Sequence, residues 1–251
     1  MCIRDRSSLE SAASRQIATR TDQTLSHIEI AEIWQDPETG RQHALAVLDR
    51  LRAGQQLRAE IQQLDTLTAG AIDNARQQRE ILLRLGQANR AIETQLQRRA
   101  LQRQLQVIDP AGMGVQNRYD LGQLLQDRSE LAQRVRIRTH IEQDSSGQLQ
   151  AIIDGALAEA GFRQVDDNAN YQLNASLDMA SFQDQNWHWF HGSLRIMLTS
   201  LADNAVHGSH RWEIKQAASR PALARQRALD SLNDRLNSEL REVIIGFADP
   251  D

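Results

Sequence analysis

The sequence has one cysteine, one lysine and no long apolar run. Because Cys2 stands alone, the chain can form neither an internal disulfide nor a metal site built from several thiolates. No apolar segment approaches the roughly 18 residues that a membrane-spanning helix needs. The formal net charge of -4 argues against a globally basic nucleic-acid-binding protein, so no nucleic acid partner is predicted.

Aromatic residues are also scarce, and they are unevenly placed along the chain. Only Trp34 and Tyr119 precede Phe162, so most of the bulky residues available for a core lie in the second half. A cluster of helix breakers, Asp109-Pro110-Ala111-Gly112-Met113-Gly114, separates the two kinds of sequence. We therefore predict one region over residues 1–108 and a second over residues 109–251.

A strand, a tight turn and a second strand are predicted around Pro37. Pro37 restricts the turn backbone, the side chain of Asp36 can bond back to the turn, and Gly40 can adopt a positive φ. Apolar residues flank the turn on both sides, in Ile28-Glu29-Ile30 and in Leu45-Ala46-Val47-Leu48. These features predict an antiparallel hairpin.

The residues of this hairpin resemble the hallmark of the LPP-twenty outer-membrane lipoprotein family. The match comprises Trp34, Asp36, Pro37, Thr39, Gly40, Ala44, Leu45, Ala46, Val47, Leu48, Asp49 and Arg50. A second familiar stretch is Gly208-Ser209-His210-Arg211-Trp212-Glu213-Ile214-Lys215. The resemblance implies a lipoprotein without catalytic activity on the periplasmic face of the outer membrane. It also implies that the matched residues form turn and strand core.

The first residues, Met1-Cys2-Ile3-Arg4-Asp5-Arg6, have no feature of a secretory signal. We expect the natural start, with its signal peptide and lipidated cysteine, to lie upstream, so that the lipid anchor is missing from this sequence. Residues 8–19, with Leu9, Ala12, Ala13 and Ile17 on one side, are predicted to be helical.

A long helical stretch is predicted from Arg50 to Ile108, where proline and aromatic residues are absent. Apolar or small residues recur at heptad-like steps: Leu57, Ile61, Leu64, Thr68, Ala71, Ala75, Leu82, Leu85, Ile92 and Leu96. The stretch is either a helix or helical hairpin that packs on its own fold, or an intermolecular coiled coil. A bend or break is expected near one of Gly54, Gly70 and Gly86, because glycine weakens a helix interior.

The region after residue 109 is predicted to be an antiparallel meander sheet covered by helices. Helices are expected over Leu121–Gln133 and Gln148–Ala160, and strands over Val135–Gln143 and Phe162–Val165. Gly161 is expected to cap the second helix, and Asp144-Ser145-Ser146-Gly147 to form a turn before it. The whole chain is therefore assigned to the α+β class, with the first hairpin and the helical stretch preceding this region.

A second hairpin follows from two runs that alternate apolar and polar residues. A loop at Gln183-Asp184-Gln185-Asn186 predicts that Phe182 lies opposite Trp187, Ala175 opposite Leu194 and Tyr171 opposite Leu198. A turn over Leu201–His207 then returns the chain through Gly208–Lys215, with Trp212 near Ile196. The last helix begins at Pro221 and buries a stripe made of Leu229, Leu232, Leu236, Leu240, Val243 and Phe247.

Candidate chemical sites are weak in this sequence. The pairs His188/His191 and His207/His210 are poor metal ligands, because residues three apart on a strand point to opposite faces. Ser181, His188 and Asp184 lie near one turn, but neither an oxyanion hole nor an elbow motif accompanies them. Gly112-Met113-Gly114 is not a phosphate-binding loop. No catalytic residue, cofactor or metal site is predicted.

Phe182, Trp187 and Trp189 are the residues with the best case for a functional role. They are predicted to lie near the hairpin tip, on the face opposite the core. There they would either pack under the long helix or form a contact surface for a protein, a glycan or a membrane interface. The partners expected are a cell-envelope protein, or a second copy that associates through the helical stretch. The alternative functions are a soluble coiled-coil adaptor and, less favoured, a hydrolase.

Overall fold

The computed structural model describes residues 28–142 and 147–248. It confirms the α+β class. The strands are β1 (Ile28–Gln35), β2 (Gln42–Leu48), β3 (Arg136–Glu142), β4 (Arg163–Gln164), β5 (Tyr171–Asp184), β6 (Trp187–Ser200) and β7 (Val206–Ala218). The helices are α1 (Arg50–Gln77), α2 (Ile81–Ile108), α3 (Leu121–Arg134), α4 (Gln148–Glu159) and α5 (Pro221–Gly246). The helix predicted over residues 8–19 and the turn residues 144–146 lie outside the described residues.

The chain divides into two compact units that share the helices α1 and α2. Among the described residues, one unit comprises residues 28–67 and 94–119, and the other comprises residues 68–93, 120–142 and 147–248. The single boundary between residues 108 and 109 stays a prediction, but these units do not follow it. The middle of the helical stretch groups with the second half of the chain.

In the first unit, β1 and β2 form the predicted hairpin. Gly40 has a φ of +67°, and its N–H donates to the carbonyl oxygen of Asp36 over 2.8 Å. The Asp36 carboxylate accepts from Glu38 N–H over 2.9 Å and from the Thr39 hydroxyl over 2.5 Å. These bonds, led by that from the Thr39 hydroxyl, hold the pKa of Asp36 below its usual range.

The expectation that this hairpin forms strand core is wrong. Ile30, Ile33, Trp34, Leu45 and Val47 are all exposed. The physical reason is that no other described element covers the two strands. Only Leu48, at the end of β2, packs against a hydrophobic cluster of the first unit, formed by Ala53, Leu57, Ile61, Leu105 and Ile108.

The helical stretch folds as a hairpin of α1 and α2. The break falls at residues 78–80, so the expectation that a glycine marks it is wrong. Most of the predicted heptad-like positions are buried within the chain, but Leu96 is exposed. Asp65 and Arg98 are buried instead, with the Arg98 Nε 2.7 Å from the Asp65 Oδ1. Whether another chain also binds this stretch stays a prediction.

The second unit is built on a five-stranded mixed sheet in the order β4-β3-β5-β6-β7. The predicted meander is present in β5, β6 and β7, and β3 adds to it in parallel with both β4 and β5. Helix α4 ends with Gly161 at a φ of +86°, and Phe162 N–H donates back to the Leu157 carbonyl, as expected for a glycine cap.

One face of this sheet carries the core. The buried strand residues Leu173, Leu194, Ile196, Trp212 and Ile214 belong to one cluster with the leucines of α5. Leu229, Leu232, Leu236 and Leu240 are buried as predicted. Val243 and Phe247 are partly buried against the same cluster. Leu82 and Leu85 of α2 are fully buried in it as well.

The predicted hairpin registers are wrong by two residues. In the structure Phe182 lies opposite Trp189, Ala175 opposite Ile196 and Tyr171 opposite Ser200, while Trp212 lies opposite Leu194. The reason is a shorter loop than the one predicted: only Gln185 and Asn186 connect the strands, and Gln185 adopts a φ of +52°. Because side chains alternate with a period of two, this shift leaves every residue on its predicted face.

Candidate functional site

The predicted aromatic residues come together on the face of the sheet opposite the core. Phe182 of β5 and Trp189 of β6 are directly opposite each other, and their ring centroids are 6.2 Å apart with nearly parallel planes. Trp187 follows on the same side of β6, opposite Asp184. We call Phe182, Trp187 and Trp189 the aromatic surface. It lies beyond Ser176, which is the last residue of β5 that pairs with β3 among the described residues.

The aromatic surface is open to solvent. Phe182 is 52% exposed and Trp187 is 50% exposed. These two residues are therefore not packed under the long helix, which was the alternative to a contact surface. The Nζ of Lys215 on β7 lies 5.3 Å from the centroid of the Trp189 ring. Trp189 is partly buried, and a cation over an indole near the surface contributes about 0.5–1 kcal/mol.

Lys215 is the member of this site that the sequence analysis missed. It lies opposite His191, and Ala217 lies opposite Trp189, so Lys215 and Trp189 share one face of neighbouring strands. The signal was available in the alternation of β7, but the predicted strand ended at Lys215 and its register was shifted by two residues. A cation over one ring of the aromatic surface favours a partner that offers apolar surface together with an acidic group.

The other predicted groupings of chemical residues do not assemble. Asp184 lies on the opposite face of the hairpin from Ser181 and His188, so these three cannot form a nucleophile, base and acid group. His210 lies opposite Ile196, five residues along β6 from His191, which is about 17 Å at the usual strand rise. Within residues 28–142 and 147–248, no group of three or more His, Cys, Asp or Glu side chains could hold a metal ion.

One buried polar cluster perturbs an ionisable group without forming a reactive site. The Tyr171 hydroxyl donates to Glu80 Oε1 over 3.0 Å and accepts from Leu82 N–H over 3.2 Å. The Nε2 of His207 lies 2.8 Å from the same Glu80 oxygen. Burial raises the pKa of Tyr171 above its usual value, the bond from Leu82 opposes this, and the Glu80 carboxylate adds to the increase. Tyr171 is buried, so the cluster fastens the start of α2 to the sheet.

A groove of about 260 Å³ lies between α1, α2 and α3 in the second unit. Its volume is below the 300–1,000 Å³ that is typical of small-molecule pockets. Its acidic residues are already bonded by glutamines, since Gln123 donates to Asp127 and Gln126 donates to Glu130. The groove therefore gives no support to a substrate site. None of the described helices is both long and apolar enough to cross a membrane.

No protein-family model and no curated protein matches this sequence. Solved structures that are similar to it include a secreted protein of Helicobacter pylori, with 13% identity and a TM-score of 0.47 over 96% of this chain and 87% of that one. They also include a minor lipoprotein of Acinetobacter baumannii, with 8% identity and a TM-score of 0.38 over 43% of this chain and 91% of that one. A lipoprotein of Neisseria meningitidis has 11% identity and a TM-score of 0.31 over 41% of this chain and 99% of that one. The resemblance to the LPP-twenty family stays a prediction.

Proposed function

We propose that this chain is a non-catalytic lipoprotein of the bacterial cell envelope that binds another envelope protein through the aromatic surface. Its place, the periplasmic face of the outer membrane, rests on the resemblance of residues 34–50 to the LPP-twenty hallmark. The observation that carries the binding role is the exposure of Phe182 and Trp187 beside Trp189 on a paired hairpin. Such clusters of exposed aromatic side chains usually mark contact surfaces.

The physical case is one of preorganisation. The backbone of Phe182 is held by pairing with β6, and that of Trp189 by pairing with both β5 and β7, so little backbone freedom remains to be lost on binding. Aromatic residues in such positions supply large contact area with few rotatable bonds, and they dominate the energetics of protein interfaces. Lys215 adds a positive charge next to Trp189, which favours a partner with a carboxylate near its apolar contact.

Site-specific photo-crosslinking in intact cells tests this proposal. A photoreactive residue at position 182 or 187 is expected to crosslink to one defined envelope protein. Position 197 is the matched control, because Met197 is also exposed on the same face of β6 but lies outside the aromatic surface. Equal crosslinking from position 197, or no crosslink from positions 182 and 187, would overturn the proposal.

A further inference from the structure

The β1–β2 hairpin is a two-stranded sheet with apolar residues on both faces. Trp34, Leu45 and Val47 lie on one face, and Ile30 and Ile33 lie on the other. Ile33 is 66% exposed and Trp34 is 46% exposed. Strands that are apolar on both faces are typical of sheets covered on both sides, and an isolated two-stranded hairpin is at best marginally stable in water. The hairpin therefore has the composition of part of a larger sheet, one that has further strands and other chain segments packed on its faces.

The two outer edges of this hairpin differ in charge. The β1 strand carries Glu29 and Glu32, and charged residues on an edge strand oppose pairing with another copy of the same strand. The β2 strand, Gln-His-Ala-Leu-Ala-Val-Leu, carries neither an acid nor an arginine or lysine. The β2 edge is thus the one that can accept a further strand.

We propose that β2 pairs antiparallel with β2 of a second copy of this chain, about a two-fold axis at Leu45. In this register Ala44 lies opposite the partner's Ala46, and His43 lies opposite the partner's Val47. Arg41 then lies opposite the partner's Asp49, once at each end of the pairing. The result is a four-stranded sheet, which meets the usual minimum of three strands with an apolar face for independent stability.

Charge complementarity favours this register, and it favours a second copy of this chain as the partner of β2. The side chain of Arg41 has no ion pair within residues 28–142 and 147–248. Asp49 accepts from Arg52 N–H over 3.0 Å through Oδ1, and this leaves its Oδ2 for a partner. A slip of two residues in either direction removes the opposition of Arg41 and Asp49. The contact is isologous, so one segment supplies both sides of the interface.

Disulfide crosslinking of the full chain tests the register. In a Cys2→Ser background, Leu45→Cys places two thiols on the two-fold axis. Opposed Cα atoms of antiparallel strands are about 4.5–5.5 Å apart, which is within the range that a disulfide can bridge. His43→Cys is the matched control, because residue 43 and its twin would lie about 13 Å apart at the usual strand rise.

The expected result under mild oxidation is a covalent dimer with Leu45→Cys and at least tenfold less with His43→Cys. A mixture of His43→Cys and Val47→Cys chains is expected to form the mixed disulfide. Sedimentation should show a concentration-dependent dimer that Leu45→Lys abolishes. Val107→Lys changes another exposed apolar residue, so it should leave the dimer intact. Equal crosslinking at positions 43 and 45, or a monomer at all concentrations, would overturn the inference.

Discussion

At the residue scale, the local turn chemistry was predictable and the buried polar contacts were not. The roles of Asp36 and Gly40 followed from the conformations that these residue types favour, and the structure confirms both. The cluster of Tyr171, Glu80 and His207 joins residues that are about 90 and 127 positions apart in the chain, as their numbers show. Nothing in the local sequence around Glu80 indicates such partners, because they depend on how the helical stretch meets the sheet.

The raised pKa of Tyr171 predicts a loss of stability at alkaline pH. The folded chain holds the hydroxyl proton more tightly than the unfolded chain, in which tyrosine titrates near about pH 10. The stabilisation is therefore complete below about pH 10 and declines as the pH rises above it. Tyr171→Phe should lower the free energy of unfolding at pH 8. Above pH 10, the free energy of unfolding of this variant should fall less steeply than that of the unmodified chain.

Denaturant titrations across this pH range would test the prediction. Tyr119→Phe is the control, because Tyr119 is the only other tyrosine and Lys215 is the only lysine. The control should keep the alkaline decline of the unmodified chain. A decline in Tyr171→Phe that is as steep as in the unmodified chain would show that Tyr171 does not carry the effect.

At the element scale, the face of the sheet on which each strand residue lies was predictable, but the register between neighbouring strands was not. The alternation of apolar residues in β5 and β6 placed every residue on the correct face, whereas the loop length decided the register. Gln185 has a positive φ, which residues other than glycine adopt infrequently, so the shorter loop had no obvious signal. In the helices, the heptad-like pattern correctly predicted burial at Leu57, but Leu96 is exposed and Arg98, two positions later, is buried.

The ion pair of Asp65 and Arg98 is expected to fix the pairing of α1 and α2. Arg98 also donates to the Gln116 carbonyl over 2.8 Å, and Gln95 donates to Asp65 over 3.3 Å. Asp65→Ala leaves a buried guanidinium without its carboxylate, so it should lower the free energy of unfolding by about 3–5 kcal/mol. Replacing both residues, as Asp65→Leu with Arg98→Met, should recover most of that loss.

The exposed pair of Asp73 and Arg76 supplies the control for this experiment. Its side chains are 62% and 75% exposed, and Asp73→Ala should cost less than about 1 kcal/mol. Chemical denaturation of all three variants gives the comparison. If Asp65→Ala costs no more than Asp73→Ala, the buried pair does not hold the two helices together.

At the scale of the whole molecule, the sequence indicated two unlike regions but not how they share the helical stretch. The scarcity of aromatic residues before Phe162 suggested that the second half supplies its own core. The structure shows that Leu82 and Leu85, from the middle of the helical stretch, belong to that core. Heptad-like spacing predicts which face of a helix is buried, but it does not predict which part of the chain buries it.

This sharing predicts how fragments of the chain will fold. A fragment of residues 109–251 lacks Leu82 and Leu85, and each missing fully buried leucine costs about 2–5 kcal/mol. A fragment of residues 68–251 retains both side chains and the bonds of Tyr171 to Glu80 and Leu82. It should therefore unfold cooperatively and at a higher temperature than the shorter fragment. Equal melting temperatures for the two fragments would support the boundary between residues 108 and 109.

The central claim is tested most directly with the envelope protein that crosslinks to position 182. The measurement is the affinity with which this protein binds variants of the aromatic surface. Trp187→Ala should weaken binding at least about 30-fold, because truncation of an aromatic residue that acts as an interface hot spot costs about 2 kcal/mol or more. Met197→Ala should bind within about twofold of the unmodified chain, and both variants should keep its melting temperature. Unchanged affinity in Trp187→Ala and in Phe182→Ala would contradict the account.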